Sequence, residues 1–254
     1  MGYVLTATEA QRIVASYLPV AHTTLVHRAE QALQSAEDYG YPVVMKAIAA
    51  QLVHKTDVGA VKIVKTKDEL LATYRSFQRL AKRHHIRLDG VMIQEFVHGK
   101  EIILGIKKDP TFGYALMLGF GGIYAEVFKD VTFRLCPITE LDAESMIEDL
   151  KSKKILYGTR GEKPVNLRLL KQIMVKLSRL PERYKITELD INPFIINHLT
   201  GKCVDARIVL GEPARVKKRT ISQHKKSHRT RKRRAPKKRS RLNILSSLLG
   251  LEET

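Results

Sequence analysis

The spacing of apolar residues changes several times along the chain, and each change predicts a helix or a strand. After Thr6, which forms a Thr-x-x-Glu capping box with Glu9, apolar residues recur at helical spacing until Pro19 ends the pattern. A second helical pattern covers 28–39 and stops at Gly40, because glycine commonly ends helices. From residue 42 onward, short apolar runs separated by turn residues predict strands. The further predicted elements are strands at 42–48, 61–64, 91–96, 101–107, 114–118, 132–135, 186–191 and 203–210, and helices at 67–84, 139–153 and 166–180.

Strands that alternate with helices and form antiparallel hairpins predict a mixed α/β or α+β body, which we divide into two lobes near Gly90. This body is predicted to occupy residues 1–212. Of the 45 Lys and Arg residues, 15 lie in 215–241, where no acid occurs, so 30 basic residues are balanced against 26 acidic ones elsewhere. We expect residues 213–254 to form a disordered basic tail, since like charges repel and no core can form there. A short amphipathic segment near its end is expected at 242–251.

Composition narrows the class of protein. The hydrophobic content of 44% is sufficient for a core, and no apolar run approaches the ~18–20 residues that span a bilayer. The first residues lack the basic-then-apolar pattern of a signal peptide. Cys136 and Cys203, far apart in the sequence, indicate neither a disulfide framework nor a zinc site. A cytoplasmic protein without membrane contact is therefore expected.

A lysine lies inside the apolar strand predicted at 42–48, and reactive groups follow that strand. Lys46 is costly to bury unless it is paired or faces a ligand, although an edge-strand lysine in solvent is the alternative. The next loop contains His54, Lys55, Thr56 and Gly59, which combine a titratable ring with groups that bind phosphate. A histidine in such a loop can be a nucleophile or general base, while a solvated surface turn is the alternative interpretation.

Two further segments carry polar groups on strands. Backbone groups at 95–97, where a strand enters a short linker, are suited to the edge of an adenine, and Glu101 is well placed for ribose hydroxyls. An ordinary strand–turn–strand is the alternative there. Further along, Glu188, Asp190 and Asn192 share one face of a strand, because side chains alternate. With Asp205 from the following strand, these oxygen donors predict a site for Mg²⁺.

The order of these features resembles the ATP-grasp fold, in which two α+β lobes hold a nucleotide between them. Seven motifs carry a closer resemblance, which extends from Tyr3 to Leu210: HKTDVGAV, GYPVVMK, GVMIQEFVHGKEIILGIKKDPTFG, LGFGGIYAEVFKDVTFRL, GTRGEKP, ELDINPF and VDARIVL. They resemble the ATP-grasp subunit of ADP-forming acetyl-CoA synthetases. The same module occurs in larger fused acyl-CoA synthetases and some protein acetyltransferases, and more distantly in the β subunit of succinyl-CoA synthetase.

The resemblance implies a reaction and a partner. In that family an acyl-CoA and phosphate give an acyl phosphate, whose phosphoryl group moves to a histidine of a CoA-binding partner subunit. A loop of the ATP-grasp subunit then passes it to ADP through a second histidine, which His54 matches here. The chain is thus expected to be the β subunit of an ADP-forming acetate– or acyl-CoA ligase that uses ATP or ADP with Mg²⁺. This sequence contains neither the CoA-binding domain nor the first histidine, so it is expected to be inactive alone.

The resemblance also implies roles for the remaining site residues. Lys46 matches a lysine that contacts the nucleotide phosphates, and Lys55, Thr56 and Gly59 belong to the phosphate-holding loop. The adenine hinge is matched by Glu95, Phe96 and Val97, the ribose-binding acid by Glu101, and an acid near the nucleotide by Glu126. Asn192 and Asp205 match the magnesium ligands, with Asp190 beside them.

The chain departs from the family pattern at two positions and in its tail. Ala60 replaces a glycine of HKxDVGG and would be strained if that position needs a positive φ, and Asn166 replaces an acid. The basic segment 215–241 has no family counterpart. It is interpreted as a solubilising tail, as an electrostatic contact with nucleic acid or the ribosome, or as a docking arm for an acidic partner, and 229–241 also fits a nuclear-localisation pattern. The alternative function is a repurposed nucleotide- or nucleic-acid-binding regulatory protein that acts through this tail.

Overall fold

A computed structural model describes residues 2–49, 59–121, 130–159 and 161–211, which form two antiparallel sheets with helices packed on one face of each. The predicted mixture of helices and strands is confirmed. His54, Lys55, Thr56 and Glu126 lie outside these ranges, as does the segment 215–241. No helix within the described ranges combines the length and the apolar content needed to cross a bilayer.

The larger sheet forms around the long central strands of the second half of the chain. Its order is β1 (Tyr3–Val4), β11 (Ala206–Leu210), β9 (Ile186–Ile196), β6 (Lys100–Asp109), β7 (Gly113–Phe120) and β8 (Val131–Leu135), with β10 (Gly201–Cys203) paired to β9. Its helices are α1 (Ala7–Val14), α4 (Glu140–Glu148), α5 (Leu167–Ser178) and the short α6 (Leu180–Arg183). The capping box predicted at Thr6 and Glu9 is present at the start of α1.

The smaller sheet contains four strands, in the order β2 (Thr23–Val26), β5 (Gly90–Glu95), β3 (Val43–Ile48) and β4 (Val61–Val64). Two helices, α2 (Ala29–Tyr39) and α3 (Lys67–Arg83), pack against one face of it.

Alternation along β3 explains where Lys46 lies. Val43, Met45 and Ala47 are fully buried in the core with α2 and α3. Because side chains of a strand point alternately to its two faces, Lys46 lies on the opposite, half-buried face. The lysine that interrupts the apolar strand is therefore directed away from the core.

Several predicted boundaries differ from the structure. β1 and β2 were not predicted, since a two-residue strand and the sequence TTLV offer too little alternation to be detected. The helix predicted at 139–153 ends at Glu148, because Asp130 accepts hydrogen bonds from the Lys151 and Ser152 amides and fixes a turn there (2.9 and 2.7 Å).

The predicted lobe boundary near Gly90 also differs from the sheet topology. Gly90 begins β5 of the smaller sheet, and the chain crosses to the larger sheet in the linker 96–99. In addition, β1 pairs with β11 and α1 packs into the core of the larger sheet, so the first residues belong with the second half of the chain. Alternation cannot reveal this, because pairing between residues so distant in sequence leaves no local pattern. The extent of the domains stays a prediction.

Ala60 is not strained. Among the described residues, His85 is the one non-glycine with a positive φ, so Ala60 has an ordinary backbone conformation. Its side chain is fully buried in the core of the smaller sheet, and its carbonyl oxygen accepts a hydrogen bond from the Ala47 amide at 2.8 Å. The replacement of glycine by alanine here adds a buried methyl group rather than strain.

Candidate functional site

A cleft of about 630 Å³ lies between the two sheets, and its walls come from both of them. Apolar side chains of both sheets form much of the wall, including Val44, Met92 and Ile103. Seven of the residues selected from the sequence also line it: Lys46, Glu95, Phe96, Val97, Glu101, Asn192 and Asp205. Residues separated by up to 159 positions in the sequence are thus brought to one cavity. Such an apolar cleft with a few converging polar groups is typical of a small-molecule site.

Lys46 occupies the wall formed by the smaller sheet. It is opposite Val61 of β4 and Met92 of β5, which also line the cleft. The positive charge of Lys46 also influences the pKa of the Cys203 thiol, which belongs to β10 of the larger sheet. Burial and the Asp205 carboxylate together raise the pKa of that thiol to about 12, and Lys46 opposes them. A cation thus lies near a carboxylate on the opposite wall.

The linker 96–99 forms one end of the cleft and is fixed on both sides. The Glu95 carboxylate pairs with Lys202 of β10 at 2.5 Å, and the Glu95 amide donates to the His22 carbonyl at 3.0 Å. The Asn197 side chain donates to the His98 carbonyl at 2.7 Å. The Glu95 carboxylate and backbone amide are thus both engaged within the protein, which leaves Phe96 and Val97 of the linker as the neighbouring residues that line the cleft.

Gln94 is a residue that the sequence analysis missed. It is fully buried, and its Nε2 donates to the Val204 carbonyl at 2.9 Å, a hydrogen bond that joins the two sheets. Its Oε1 is buried and has no hydrogen-bond partner among the described residues. An unsatisfied buried acceptor destabilises the fold unless a ligand or water donates to it. The available signal in the sequence was that Gln94 shares a strand face with Met92, the face opposite the apolar residues Val91 and Ile93.

Asn192 and Asp205 are held side by side on the larger sheet. The Asn192 amide donates to the Asp205 carbonyl at 3.2 Å, and the Val204 amide donates to the Pro193 carbonyl at 3.0 Å. The β6–β9 register shifts between Ile102 and Leu104, so that two residues of β9 lie opposite one of β6 near this point. The sequence predicted that this strand ends at Ile191, whereas β9 continues through the bulge to Ile196.

Asp190 is a half-buried residue of β9 that does not line the cleft. It shares a strand face with Glu188 and Asn192, while the intervening Leu189 and Ile191 are buried in the core. Burial raises the pKa of Asp190 and the Glu188 carboxylate raises it further, whereas the Arg207 guanidinium opposes both. Arg207 itself pairs with Glu188 at 2.7 Å.

The donor set of the cleft fits a magnesium ion better than a softer metal. Within the described ranges, no three His, Cys, Asp or Glu side chains group closely enough to hold a metal. Asn192 and Asp205 instead offer one amide and one carboxylate oxygen at the cleft. Mg²⁺ commonly takes one or two protein oxygens and completes its shell with phosphate oxygens and waters.

Glu101 and Gly59 are at the margins of the site. Glu101 is exposed on β6 and lines the cleft, and its carbonyl accepts a hydrogen bond from the Gly121 amide at 2.9 Å. Gly59 precedes β4 with a φ of 70°, a conformation that glycine tolerates best. It does not line the cleft, although Val61 two residues later does.

Gly99→Ala should weaken both folding and ligand binding. A Cβ at Gly99 would collide with the Ile196 carbonyl oxygen, which is backbone and cannot rotate away, so the linker 96–99 would be displaced. We expect overpacking to lower the free energy of unfolding by about 1–3 kcal/mol, measured by chemical denaturation. The affinity for Mg-ADP should fall as well, measured by calorimetry.

Gly113→Ala is the matched control for this prediction. Gly113 has a φ of 89° and open space around its missing side chain, so alanine there should cost about 1–2 kcal/mol through strain alone. Nucleotide affinity should be unchanged, since Gly113 begins β7 and does not line the cleft. Equal loss of affinity in both variants would show that the position of the linker does not matter.

The family model for the ATP-grasp domain matches residues 2–210 of this chain. Among curated proteins, the β subunit of acetate–CoA ligase [ADP-forming] I from Pyrococcus furiosus is 41% identical over 212 residues, covering 81% of this chain and 91% of the relative. The 4-hydroxybutyrate–CoA ligase [ADP-forming] of Nitrosopumilus maritimus is 41% identical over 210 residues. In that case the match spans 30% of the relative's length, so this chain corresponds to one part of a longer protein.

Solved structures give the same result. An acetyl-coenzyme A synthetase 1 from Ca. Korarchaeum cryptofilum, in complex with coenzyme A, Ca-AMPCP and HgCl⁺, superimposes with a TM-score of 0.76 at 39% identity, covering 82% of this chain and 93% of the other. The same enzyme with coenzyme A and Mg-AMPPCP, described with its phosphohistidine segment pointing towards the nucleotide-binding site, gives a TM-score of 0.71 at 37% identity. The ATP-grasp fold predicted from the sequence motifs is therefore confirmed.

Proposed function

The chain belongs to the ATP-grasp family, among the ADP-forming acyl-CoA synthetases, and we propose that it is the nucleotide-binding subunit of an ADP-forming acetate– or acyl-CoA ligase. In this proposal it passes a phosphoryl group between a histidine of a CoA-binding partner subunit and ADP or ATP. The observation that carries the proposal is the convergence of Lys46, the linker at 95–97, Glu101, Asn192 and Asp205 on one cleft.

The linker end of the cleft is suited to the nucleoside. Apolar side chains from both sheets can enclose a base, and Phe96 and Val97 line the same space. Gln94, directly before the linker, is fully buried and does not line the cleft, so its part is to join β5 to the Val204 carbonyl behind this end. Glu101, four residues beyond Val97, then meets the ribose hydroxyls.

The opposite region of the cleft is suited to phosphates. Lys46 supplies a fixed positive charge from a strand of the smaller sheet, where it can hold phosphate oxygens without a large change in conformation. Asn192 and Asp205 would hold Mg²⁺, which when bound neutralises phosphate charge. Asp190 lies two residues before Asn192 on β9, where burial and the carboxylates of Glu188 and Asp205 raise its pKa, so a cation bound nearby would offset this concentration of negative charge.

His54 is the proposed relay residue, and its place in the sequence supports that role. It lies in the segment between β3 and β4, and the described ends of that segment are at the cleft, since Ile48 and Val61 both line it. A histidine carried by this segment would therefore need to move only between the cleft and the phosphohistidine of the partner subunit. Dividing a long transfer into two steps through phosphohistidine requires such a carrier.

Reconstitution tests the proposed function. The chain should bind Mg-ADP alone by calorimetry, and with a CoA-binding subunit that carries the first histidine it should form ATP from acetyl-CoA, phosphate and ADP. Neither subunit alone should form ATP. Absence of both Mg-ADP binding at millimolar nucleotide and turnover with a competent partner would refute the assignment.

The second candidate is a regulatory protein that retains the nucleotide fold and acts through its basic segment 215–241. The 15 Lys and Arg residues of that segment favour it, because the ligase reaction does not use them. It predicts Mg-ADP binding without turnover in the presence of any partner. The same reconstitution therefore separates the two candidates.

A further inference from the structure

Helix α3 carries a row of cations on the side opposite its buried face. Leu70, Tyr74, Phe77 and Ala81 are the buried residues of this helix and pack into the core of the smaller sheet. Helical geometry places Arg75, Arg79, Lys82 and Arg83 on the other side, and all four are exposed. We call these four residues the α3 stripe. It faces away from the nucleotide cleft, since α3 and the cleft are on opposite faces of the sheet.

No acid of the described residues neutralises the α3 stripe. From residue 75 to residue 88 the sequence has five Lys or Arg, two His and no acid. Within the described ranges, none of the four stripe residues forms an ion pair or a side-chain hydrogen bond. Arg75, Arg79 and Arg83 are moreover spaced at i and i+4, where like charges destabilise a helix.

Helix α4 provides the contrast within the same chain. Three acids of α4 and the one that directly follows it form ion pairs: Glu140 and Glu144 with Lys171, Glu148 with Lys153, and Asp149 with Arg134. The neighbouring helix α2 carries Glu30, Glu37 and Asp38, yet none of these is paired with the stripe. A helix that keeps repelling charges unpaired is suited to an external polyanion.

The geometry of the stripe favours a regular array of phosphates. At about 1.5 Å rise per residue, Arg75 to Arg83 span about 12 Å, the length over which one strand of a duplex presents three or four phosphates. None of the large exposed apolar side chains belongs to α3, so the stripe lacks the apolar centre of a protein–protein interface and the apolar face of a membrane-binding helix.

We propose that the α3 stripe binds the phosphate backbone of a nucleic acid duplex, without reading its sequence, in addition to the nucleotide chemistry of the cleft. The chain's second cationic segment, 215–241, adds 15 further Lys and Arg to the same molecule. Contacts of this kind release counterions, so the affinity should fall steeply with salt. Because the stripe and the cleft lie on opposite faces of the smaller sheet, duplex binding and Mg-ADP binding should occur together.

The test compares two fourfold variants of the full chain with the same change in net charge. One is R75Q/R79Q/K82Q/R83Q, and the control is K151Q/K154Q/R168Q/K176Q, four exposed cations of the larger body. Affinity for a duplex of about 20 base pairs is measured by fluorescence anisotropy between about 50 and 200 mM salt. We expect the stripe variant to bind at least about tenfold more weakly, with a salt slope about 3 to 4 smaller in magnitude, whereas the control changes by less than about threefold.

Equal losses in the two variants would overturn the proposal, because net charge alone would then explain them. Polyglutamate and phosphatidylcholine vesicles containing phosphatidylserine are measured in parallel. A stripe variant that loses polyglutamate or vesicle binding as strongly as duplex binding would also overturn it, in favour of an acidic protein or a membrane surface. Mg-ADP affinity and the thermal midpoint serve as folding controls. If the fourfold variant does not fold, R79Q alone should weaken duplex binding while R79K should not.

Discussion

Replacement of His54 by alanine should abolish ATP formation by the reconstituted enzyme while leaving the affinity for Mg-ADP within about twofold of the wild-type value. The affinity should be kept because the residues that would hold the nucleotide lie on the strands of the two sheets and on the linker 96–99, and His54 is not among them. If His54 carries the phosphoryl group, as proposed, its loss should reduce turnover by at least about a thousandfold, as expected when a nucleophile is removed. Coupled ADP-to-ATP turnover and calorimetry on the same preparations give the two quantities.

The relay also predicts a chemical intermediate. With the partner, acetyl-CoA and phosphate, the wild-type chain should acquire phosphate that is labile in acid and stable in base, and the alanine variant should not. His27→Ala is the matched control, since His27 is an exposed histidine at the end of β2, outside the cleft, and its loss should leave both readouts unchanged. If His54→Ala retained wild-type turnover, His54 would not be the relay, and the segment would serve only to hold phosphate.

Replacement of Asn192 by alanine should instead weaken Mg-ADP binding and turnover together. If the Asn192 and Asp205 oxygens hold Mg²⁺, loss of one of the two should cost at least about tenfold in affinity, which is about 1.4 kcal/mol. The effect should depend on the metal, because the side chain acts on the nucleotide through the ion. In excess chelator, wild type and variant should therefore bind ADP equally weakly, as measured by calorimetry.

Two further variants make this prediction specific. Asp205→Asn keeps an oxygen donor but removes a charge, so it should lower affinity without disturbing the bulge at Asn192. Glu188→Gln is the control, since Glu188 shares the strand face but pairs with Arg207 and does not line the cleft. A loss of ADP affinity in Asn192→Ala that persists in chelator would show that Asn192 contacts the nucleotide directly or supports the fold.

Local patterns predicted most elements because their signals are local. The capping box at Thr6 and Glu9, the stop at Gly40 and the alternation around Lys46 each depend on residues a few positions apart, and each is present in the structure. The β1–β11 pairing and the crossing at 96–99 depend on contacts between distant residues, so the sequence did not contain them in readable form. The bulge that extends β9 is of the same kind, because it is defined by the register with β6.

The site shows the same division. Lys46, Glu101 and Asn192 could be selected because polar groups in apolar strands are conspicuous, and the cleft brings them together. Gln94 was missed because a single glutamine on a strand is unremarkable until its burial and its orphaned oxygen are known. Ala60 raised a concern about strain that depended on a φ value, which the sequence alone does not give.

The contacts that join the two sheets restrict how one sheet can rotate against the other. Gln94–Val204 and Glu95–Lys202 both lie where β5 meets the linker, and the His22–Glu95 hydrogen bond lies beside them. These contacts attach the smaller sheet to the larger one at β5. The edge strand β4 is two strands away from β5 in the sheet, a distance of about 10 Å. Any rotation about the attached side would displace β4 most and the adenine end least. The segment between β3 and β4 rejoins the described structure at this edge. If His54 of that segment is the relay and the linker holds the base, a small rotation would move the attachment of the relay segment while leaving the base nearly in place.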